Sequence, residues 1–276
     1  MKKKFKIIDS AFAHCNYSNN PTPPIQESPW VEWERNVPLN NDETLFVTEM
    51  HILNPNVLRL KNKKIAWLLE PITYSPHPYS WVSKNYHYYT YVFSHNKEFL
   101  KSIPNGIWVP TGGCWVHEKD WSTEHEKTNL VSMMLSTKRQ LEGHNLRHRV
   151  NESLSGIDVY GNAVKPIEYK ITSLSNYKYQ IVIENSRVGG YFTEKLIDCF
   201  VTGTVPIYWG DPLIGDYFDT DGMIIVNSFE EIKQALDDIK NIDYSKFNIS
   251  KINNFNNAKE FILSENYFYK NYSNIL

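Results

Sequence analysis

The alternation of apolar and polar positions is clearest in the second half of the chain. Residues 130–135 form a short apolar run that predicts a strand, and Leu146, Val150 and Leu154 follow at a spacing of four, as one helix face requires. Residues 179–183 predict the next strand. Thr193 then stands where it can cap a helix whose buried stripe is Leu196, Ile197, Phe200 and Val201. Residues 205–209 and 224–226 predict two more strands. Between the last of them and Ile232, Ala235, Leu236 and Ile239, which follow the i, i+3, i+4, i+7 rule, Ser228 and Glu231 have the spacing of a capping box. Strand and helix alternate, the pattern of a parallel sheet with right-handed crossovers, whose ligands sit beyond the carboxyl ends of the strands. The loop before Thr193 lies at such an end and is the first candidate site.

The first half reads differently. Residues 4–9, 64–70, 89–94 and 106–110 predict strands, each closed by polar or turn residues, while helices are poorly signalled. The segments Pro21-Thr22-Pro23-Pro24 and Ser75-Pro76-His77-Pro78 read as stiff loops, because proline fixes φ and lacks an N–H. The tail from Asn241 is rich in Asn, Lys and aromatic residues and predicts polar loops with a last helix at 258–263. No internal repeat is visible.

Length and composition narrow the picture. At 276 residues the chain exceeds one comfortable core, so two domains are expected. Seven of the eight tryptophans precede residue 122, and the polar stretch 121–129 reads as the linker, dividing the chain into 1–128 and 129–276. An apolar fraction of 41%, with 14% aromatic residues, excludes a disordered chain. With 29 Lys and Arg against 31 Asp and Glu there is no global positive field to hold nucleic acid or an anionic membrane. Cys15, Cys114 and Cys199 are too few and too far apart for a disulfide framework or a thiolate metal site, which points to a reducing, cytoplasmic setting. Lys6 and Asp9 break the apolar stretch behind Lys2-Lys3-Lys4, so no signal peptide is expected, and no run approaches the roughly 20 apolar residues of a membrane span.

The densest chemistry lies in Ile183-Glu184-Asn185-Ser186-Arg187-Val188-Gly189-Gly190-Tyr191-Phe192-Thr193-Glu194-Lys195. It joins a strand end, a glycine turn and a helix start. Backbone N–H groups at that helix start, with the Lys195 ammonium in the first turn, suit a phosphate, and Glu194 suits sugar hydroxyls. The alternative reading is an ordinary capped helix with a surface Glu–Lys pair.

This string resembles glycosyltransferase family 10, the α-1,3-fucosyltransferases, whose signature runs F-E-N-S, a short turn, then Y-x-T-E-K. Here Ile183-Glu184-Asn185-Ser186 and Tyr191-Phe192-Thr193-Glu194-Lys195 carry the likeness, with Ile183 in place of Phe. Gly203-Thr204-Val205-Pro206-Ile207-Tyr208-Trp209-Gly210 matches the family's downstream strand. The likeness covers roughly residues 130–239, while the first 128 share it only loosely. It implies an α/β fold of the GT-B type, two Rossmann-like domains facing a cleft, with an acceptor-side domain at 1–128 and a nucleotide-sugar domain at 129–276. It implies GDP-fucose as donor and a glycan hydroxyl as acceptor, with an inverting transfer of α-1,3 type. Asn185, Tyr191, Glu194 and Lys195 fall on its donor-site motif. Arg147, seven residues before Leu154, fits the family's pyrophosphate arginine, with Arg149 as the rival.

Two cations neutralise a departing diphosphate without a metal, so no metal cofactor is expected. Asp219-Thr220-Asp221 has the form of a metal-binding D-x-D motif, but Gly222 and the strand behind it favour a polar turn. His144 and His148 are spaced i, i+4 without a third ligand and read as solvated or supporting residues. Arg187 adds a cation the family does not require.

An inverting transfer needs a base, and Glu70, after a predicted strand and before Pro71, is the candidate. Glu49 competes with it. Thr111-Gly112-Gly113 could let the backbone approach a donor, and Trp67, Tyr74, Tyr79, Trp81 and Trp108 supply stacking faces or core. Two other functions stay open from sequence: another nucleotide-sugar transferase on this scaffold, and a noncatalytic glycan-binding protein.

Overall fold

The structure, a computed structural model, describes residues 2–10 and 25–276. Cys15 and the proline segment at 21–24 lie outside the described residues. The chain forms two compact units. Unit 1 comprises Met1–Gly113, Gly189–Tyr191 and Phe261–Leu276, and unit 2 comprises Cys114–Val188 and Phe192–Glu260.

Unit 1 is built on six parallel strands: β1 (Lys3–Ile8), β2 (Val31–Glu34), β3 (Leu45–Thr48), β4 (Lys64–Leu68), β5 (Tyr91–Ser94) and β6 (Gly106–Trp108). Their order across the sheet is β2-β1-β3-β4-β5-β6. Every residue of β3 and β4 is buried, as expected of central parallel strands covered on both faces. The connections carry the one-turn helices α1 (Pro55–Leu58) and α3 (Lys97–Leu100) and the longer α2 (Pro76–Asn85). Tyr79 and Val82 of α2 pack on Val47, Ala66 and Leu68 to cover one face.

Two expectations fail here. β2 and β3 were not predicted, because each has only four residues and β3 is a short apolar run without alternation. The segment 75–78 is not a loop: Pro76 and Pro78 occupy the first turn of α2. Proline costs nothing there, since first-turn N–H groups have no helical partner in any case.

Unit 2 carries β7 (Asn129–Met134), β8 (Asp158–Tyr160), β9 (Tyr177–Ile183), β10 (Val205–Trp209) and β11 (Ile224–Ile225), all parallel, in the order β11-β10-β9-β7-β8. Its helices are α4 (Glu142–Ser153), α5 (Glu194–Val201), α6 (Phe229–Asp238) and α7 (Asn248–Ala258). The predicted strand–helix alternation holds, and β8 is the strand it missed. The N-caps hold as well: Thr193 Oγ1 accepts the Lys195 N–H, and Ser228 Oγ accepts the Glu231 N–H at 3.1 Å, but the Glu231 carboxylate returns to the Asn227 N–H at 3.0 Å and not to that of Ser228, so the capping box is half formed. Val150 of α4 and Ile232, Ala235 and Leu236 of α6 join Val131, Ile181, Ile207 and Trp209 in one core.

The last helix, α8 (Ser264–Tyr272), belongs to unit 1. Phe268 enters the second face of the unit 1 sheet, with ring centroids 5.3 Å from Phe46 and 5.6 Å from both Trp67 and Phe93. The helix expected at 258–263 is only a 3-10 turn, Lys259–Phe261, between α7 and α8.

The division of the chain also departs from 1–128 and 129–276. The stretch 121–129 is not a free linker, because Lys127 Nζ donates to Thr202 O (2.8 Å), Thr204 Oγ1 (2.9 Å) and Leu174 O (3.2 Å). Ser122 N–H donates to Val201 O at 2.9 Å. These bonds make the stretch part of unit 2, and the first segment of unit 1 ends at Gly113.

Candidate functional site

In unit 2 the site begins where β9 stops. Glu184, fully buried, follows the strand, and its N–H still donates to Trp209 O of β10 at 2.9 Å. Its carboxylate turns toward the start of α5. Oε1 accepts the Thr193 N–H at 2.8 Å, and the Thr193 hydroxyl lies 3.0 and 2.8 Å from Oε1 and Oε2. The carboxylate thus holds the N-cap residue in place, and the N-cap orients the first turn that carries Glu194 and Lys195.

Lys195 Nζ donates to Thr193 Oγ1 at 2.9 Å and lies 3.2 Å from Glu194 Oε1 and 3.4 Å from Glu184 Oε2. Burial opposes its charge, but the carboxylates of Glu194 and Glu184 outweigh it and raise the ammonium's pKa above the ordinary value. Burial likewise opposes ionisation of Glu194, and the ammonium groups of Lys195 and Lys170 overcome it and lower its pKa. Both side chains are charged across the physiological range. The Glu–Lys pair is therefore not a surface pair, as the alternative sequence reading had it.

A second cation enters from α4. Gly143 lies so close to the β9–α5 loop that an added Cβ would meet Glu184 O at 1.8 Å, and its N–H donates to Asn185 O at 3.2 Å. Four residues on, the buried Arg147 guanidinium donates to Ile183 O and, at 3.0 Å, to Asn185 Oδ1. Arg149 lies elsewhere: it pairs with exposed Glu230 at 3.3 Å and stacks 3.8 Å over the Phe229 ring. Of the two arginines, the structure brings Arg147 to the loop.

His144 and His148 are both buried, so neither is solvated. His144 Nδ1 accepts the Leu141 N–H at 3.2 Å, which leaves Nε2 to carry the proton. Burial and the charges of Arg147, Lys138 and Lys195 push its pKa down to about 4, so the ring is neutral. Gly143 and His144 were not singled out as site residues. A glycine in the first turn of a helix predicted beside the site was the available signal for a close approach.

Arg187, exposed, donates to Asn227 Oδ1 at 2.8 Å and sits over the Trp209 ring at 5.7 Å. Ile183 is buried in the unit 2 core, as a phenylalanine would be. Asp219 Oδ1 accepts the Asp221 N–H at 3.1 Å and Oδ2 accepts Asn253 Nδ2 at 3.0 Å. The D-x-D sequence is thus a capped turn. Among the described residues no three His, Cys, Asp or Glu side chains form a group able to hold a metal ion.

Tyr191 and the two glycines before it belong to unit 1. Gly190 has φ +89°, and a Cβ there would meet His95 O at 2.2 Å, so the turn requires glycine. The Tyr191 ring, buried, lies 4.7 Å from the His95 ring. Gly112 also has positive φ, but the space a Cβ would fill is taken by Phe261 O at 2.2 Å. The Thr111-Gly112-Gly113 turn therefore admits the protein's own backbone. Of the aromatics Trp67, Tyr74, Tyr79, Trp81 and Trp108, Trp67 and Tyr79 are fully buried core residues.

Glu70 follows β4 and is partly exposed, whereas Glu49, after β3, is buried. Glu49 Oε1 accepts the N–H groups of Leu69 at 2.7 Å and Glu70 at 2.9 Å. Burial pushes the Glu49 pKa up to about 7 against those two bonds.

Comparison with known proteins agrees with this geometry. Residues 124–267 match the family described as glycosyltransferase family 10 (fucosyltransferase), C-terminal domain. The α-(1,3)-fucosyltransferase FucT of Helicobacter pylori is 34% identical over 107 residues, which are 39% of this chain and 22% of that protein. The match thus spans less than a quarter of that relative. A crystal structure of α1,3-fucosyltransferase with GDP has a TM-score of 0.55 at 18% identity, covering 81% of this chain and 73% of that one. One with GDP-fucose has a TM-score of 0.52 at 17% identity, covering 81% and 72%. These structural likenesses establish the fold, two parallel-sheet units of the GT-B type. Because the family match takes in more than half of the chain, including β9, the β9–α5 loop, Arg147 and Lys195, this protein belongs to glycosyltransferase family 10.

Proposed function

We propose that this chain transfers fucose from GDP-fucose to a glycan hydroxyl with inversion, forming an α-1,3-type linkage without a metal ion. The observation that carries the reading is the set of charges at the end of β9: Lys195 fixed on Thr193, Glu184 and Glu194, with Arg147 on the same loop. Such an arrangement suits a diphosphate. Lys195 and Arg147 would exchange part of their present contacts for phosphate oxygens, and their cost of ordering is already met by the fold. Glu194, ionised, has acceptor capacity for sugar hydroxyls, and Asn185 and Tyr191 complete the donor residues taken from the family motif. The solved relatives with GDP and GDP-fucose support this choice of nucleotide.

In the transfer, the acceptor oxygen attacks the anomeric carbon of fucose while the bond from that carbon to the diphosphate oxygen breaks. The electron pair leaves with GDP, and the growing negative charge falls to Arg147 and Lys195. The acceptor proton passes to Glu70. Glu70 suits this role better than Glu49, because a base must reach the substrate, and of the two Glu70 is partly exposed while Glu49 is buried.

Calorimetric titration with GDP tests the donor site. Lys195→Ala and Arg147→Ala should each weaken GDP binding by roughly 10- to 100-fold, the loss of one charge-assisted contact, while Arg149→Ala should bind as the parent does. Equal affinity in Lys195→Ala would place the nucleotide elsewhere.

A further inference from the structure

β3 and β4 are neighbouring parallel strands with Thr48 opposite Trp67 in register, so the residues that follow each strand leave the sheet side by side. Glu49 leaves with φ +47°, a left-handed conformation that a non-glycine residue adopts only when its surroundings enforce it. Its carboxylate accepts the two successive N–H groups of Leu69 and Glu70. The other polar atoms of that segment are also held. Leu69 O accepts the Thr111 hydroxyl at 3.1 Å, and Glu70 O accepts the Tyr79 hydroxyl at 2.9 Å. Tyr79 is itself tied to Ser94 Oγ at 3.2 Å, at the end of β5. Pro71 fixes the next φ. Three side chains, Glu49 after β3, Tyr79 of α2 and Thr111 beyond β6, thus grip the backbone on which Glu70 is mounted, and Glu49 is the carboxylate among them.

We infer that Glu49 is a positioning residue for Glu70: its buried carboxyl clamps the Leu69–Glu70 backbone and so holds the base in one orientation. The inference rests on the reading of Glu70 as the base. Glu49 is 4% exposed, which rules it out as a group that touches substrate; its Oε1 accepts the two backbone N–H groups at the partly exposed Glu70, and the Ser75 side chain also acts on its carboxyl. The ionisable groups that act on it are Glu70 and Tyr79. With a pKa near 7, the neutral acid is well populated, and a neutral carboxyl is matched in shape and in acceptor capacity by a glutamine amide. The clamp works by reach, through one oxygen.

Three substitutions separate reach from charge, with Glu70→Gln as the reference for the base itself. The assay follows GDP release from GDP-fucose with a β-galactosyl-N-acetylglucosamine disaccharide as acceptor, and calorimetry gives the GDP affinity. Glu49→Gln keeps the accepting oxygen and should retain turnover within about threefold. Glu49→Asp keeps the charge but withdraws the oxygen by about 1.5 Å and should lower kcat by about tenfold or more. Glu49→Gly removes the clamp while favouring the left-handed backbone, and it should behave as Asp does. GDP affinity should be unchanged throughout. Wild-type kcat in Glu49→Asp, or a loss in Glu49→Gln as deep as in Glu70→Gln, overturns the inference. Wild-type turnover in Glu70→Gln instead overturns the assignment of the base, whatever the Glu49 variants do.

Discussion

Glu49 also makes a prediction about stability that needs no substrate. Its ordinary pKa of 4.5 is raised to about 7 in the fold, with burial as the largest cause. Between these values the folded protein keeps a proton that the unfolded chain has lost. The stabilisation is therefore complete below about pH 4.5 and is lost as pH rises through about 7, by roughly 3 kcal/mol in all. Glu49→Gln does not titrate. Its melting temperature relative to wild type should rise between pH 5 and pH 8, and a constant difference across that range would show that Glu49 has an ordinary pKa. The same scale shows where spacing stops being informative. Arg147 and Arg149 are two apart, so about 200° of helix rotation separates them and only one reaches the β9–α5 loop. The polar stretch of α4 does not say which, because that depends on the contact of Gly143 with Glu184 O.

At the scale of the element, α4, α5 and α6 of unit 2 were readable because each carries its own signals, whereas α7 falls in the Asn-rich tail that reads as polar loops. α5 and α6 have an N-cap, an acidic first turn and a continuous apolar stripe, all of which act within the helix or against one neighbouring sheet. α2 and α8 lack such stripes. α2 begins on two prolines that resemble a loop, and the fully buried apolar residue of α8 is Phe268, amid aromatic partners from β3, β4 and β5. Phe268→Ala should destabilise the protein by about 3–5 kcal/mol, the usual cost of removing a buried aromatic side chain. Ile249→Ala, at a site 76% exposed on α7, should change stability by less than about 0.5 kcal/mol. Denaturant titrations of the two would test this, and equal midpoints would mean that Phe268 is not part of the core.

At the scale of the molecule, near-neutral overall charge leaves the proposed dianionic donor to local cations and not to a long-range field. Transferase activity should therefore survive excess EDTA. Loss of activity that manganese restores would instead assign the Asp219-Thr220-Asp221 turn a metal, against its present hydrogen bonds to Asp221 N–H and Asn253.

The sequence alone determined the α/β character of unit 2, the capped start of α5 and the family motif from Glu184 to Lys195, because each depends on residues within a few positions of one another. The tertiary structure decided what depends on distant partners. Phe261–Leu276 joins unit 1 because Phe268 finds its partners there, and residues 121–129 join unit 2 because Lys127 finds three oxygens there. Glu49 and Glu70 are 21 positions apart in the chain, and only the parallel pairing of β3 with β4 brings the buried acid to the backbone of the partly exposed one.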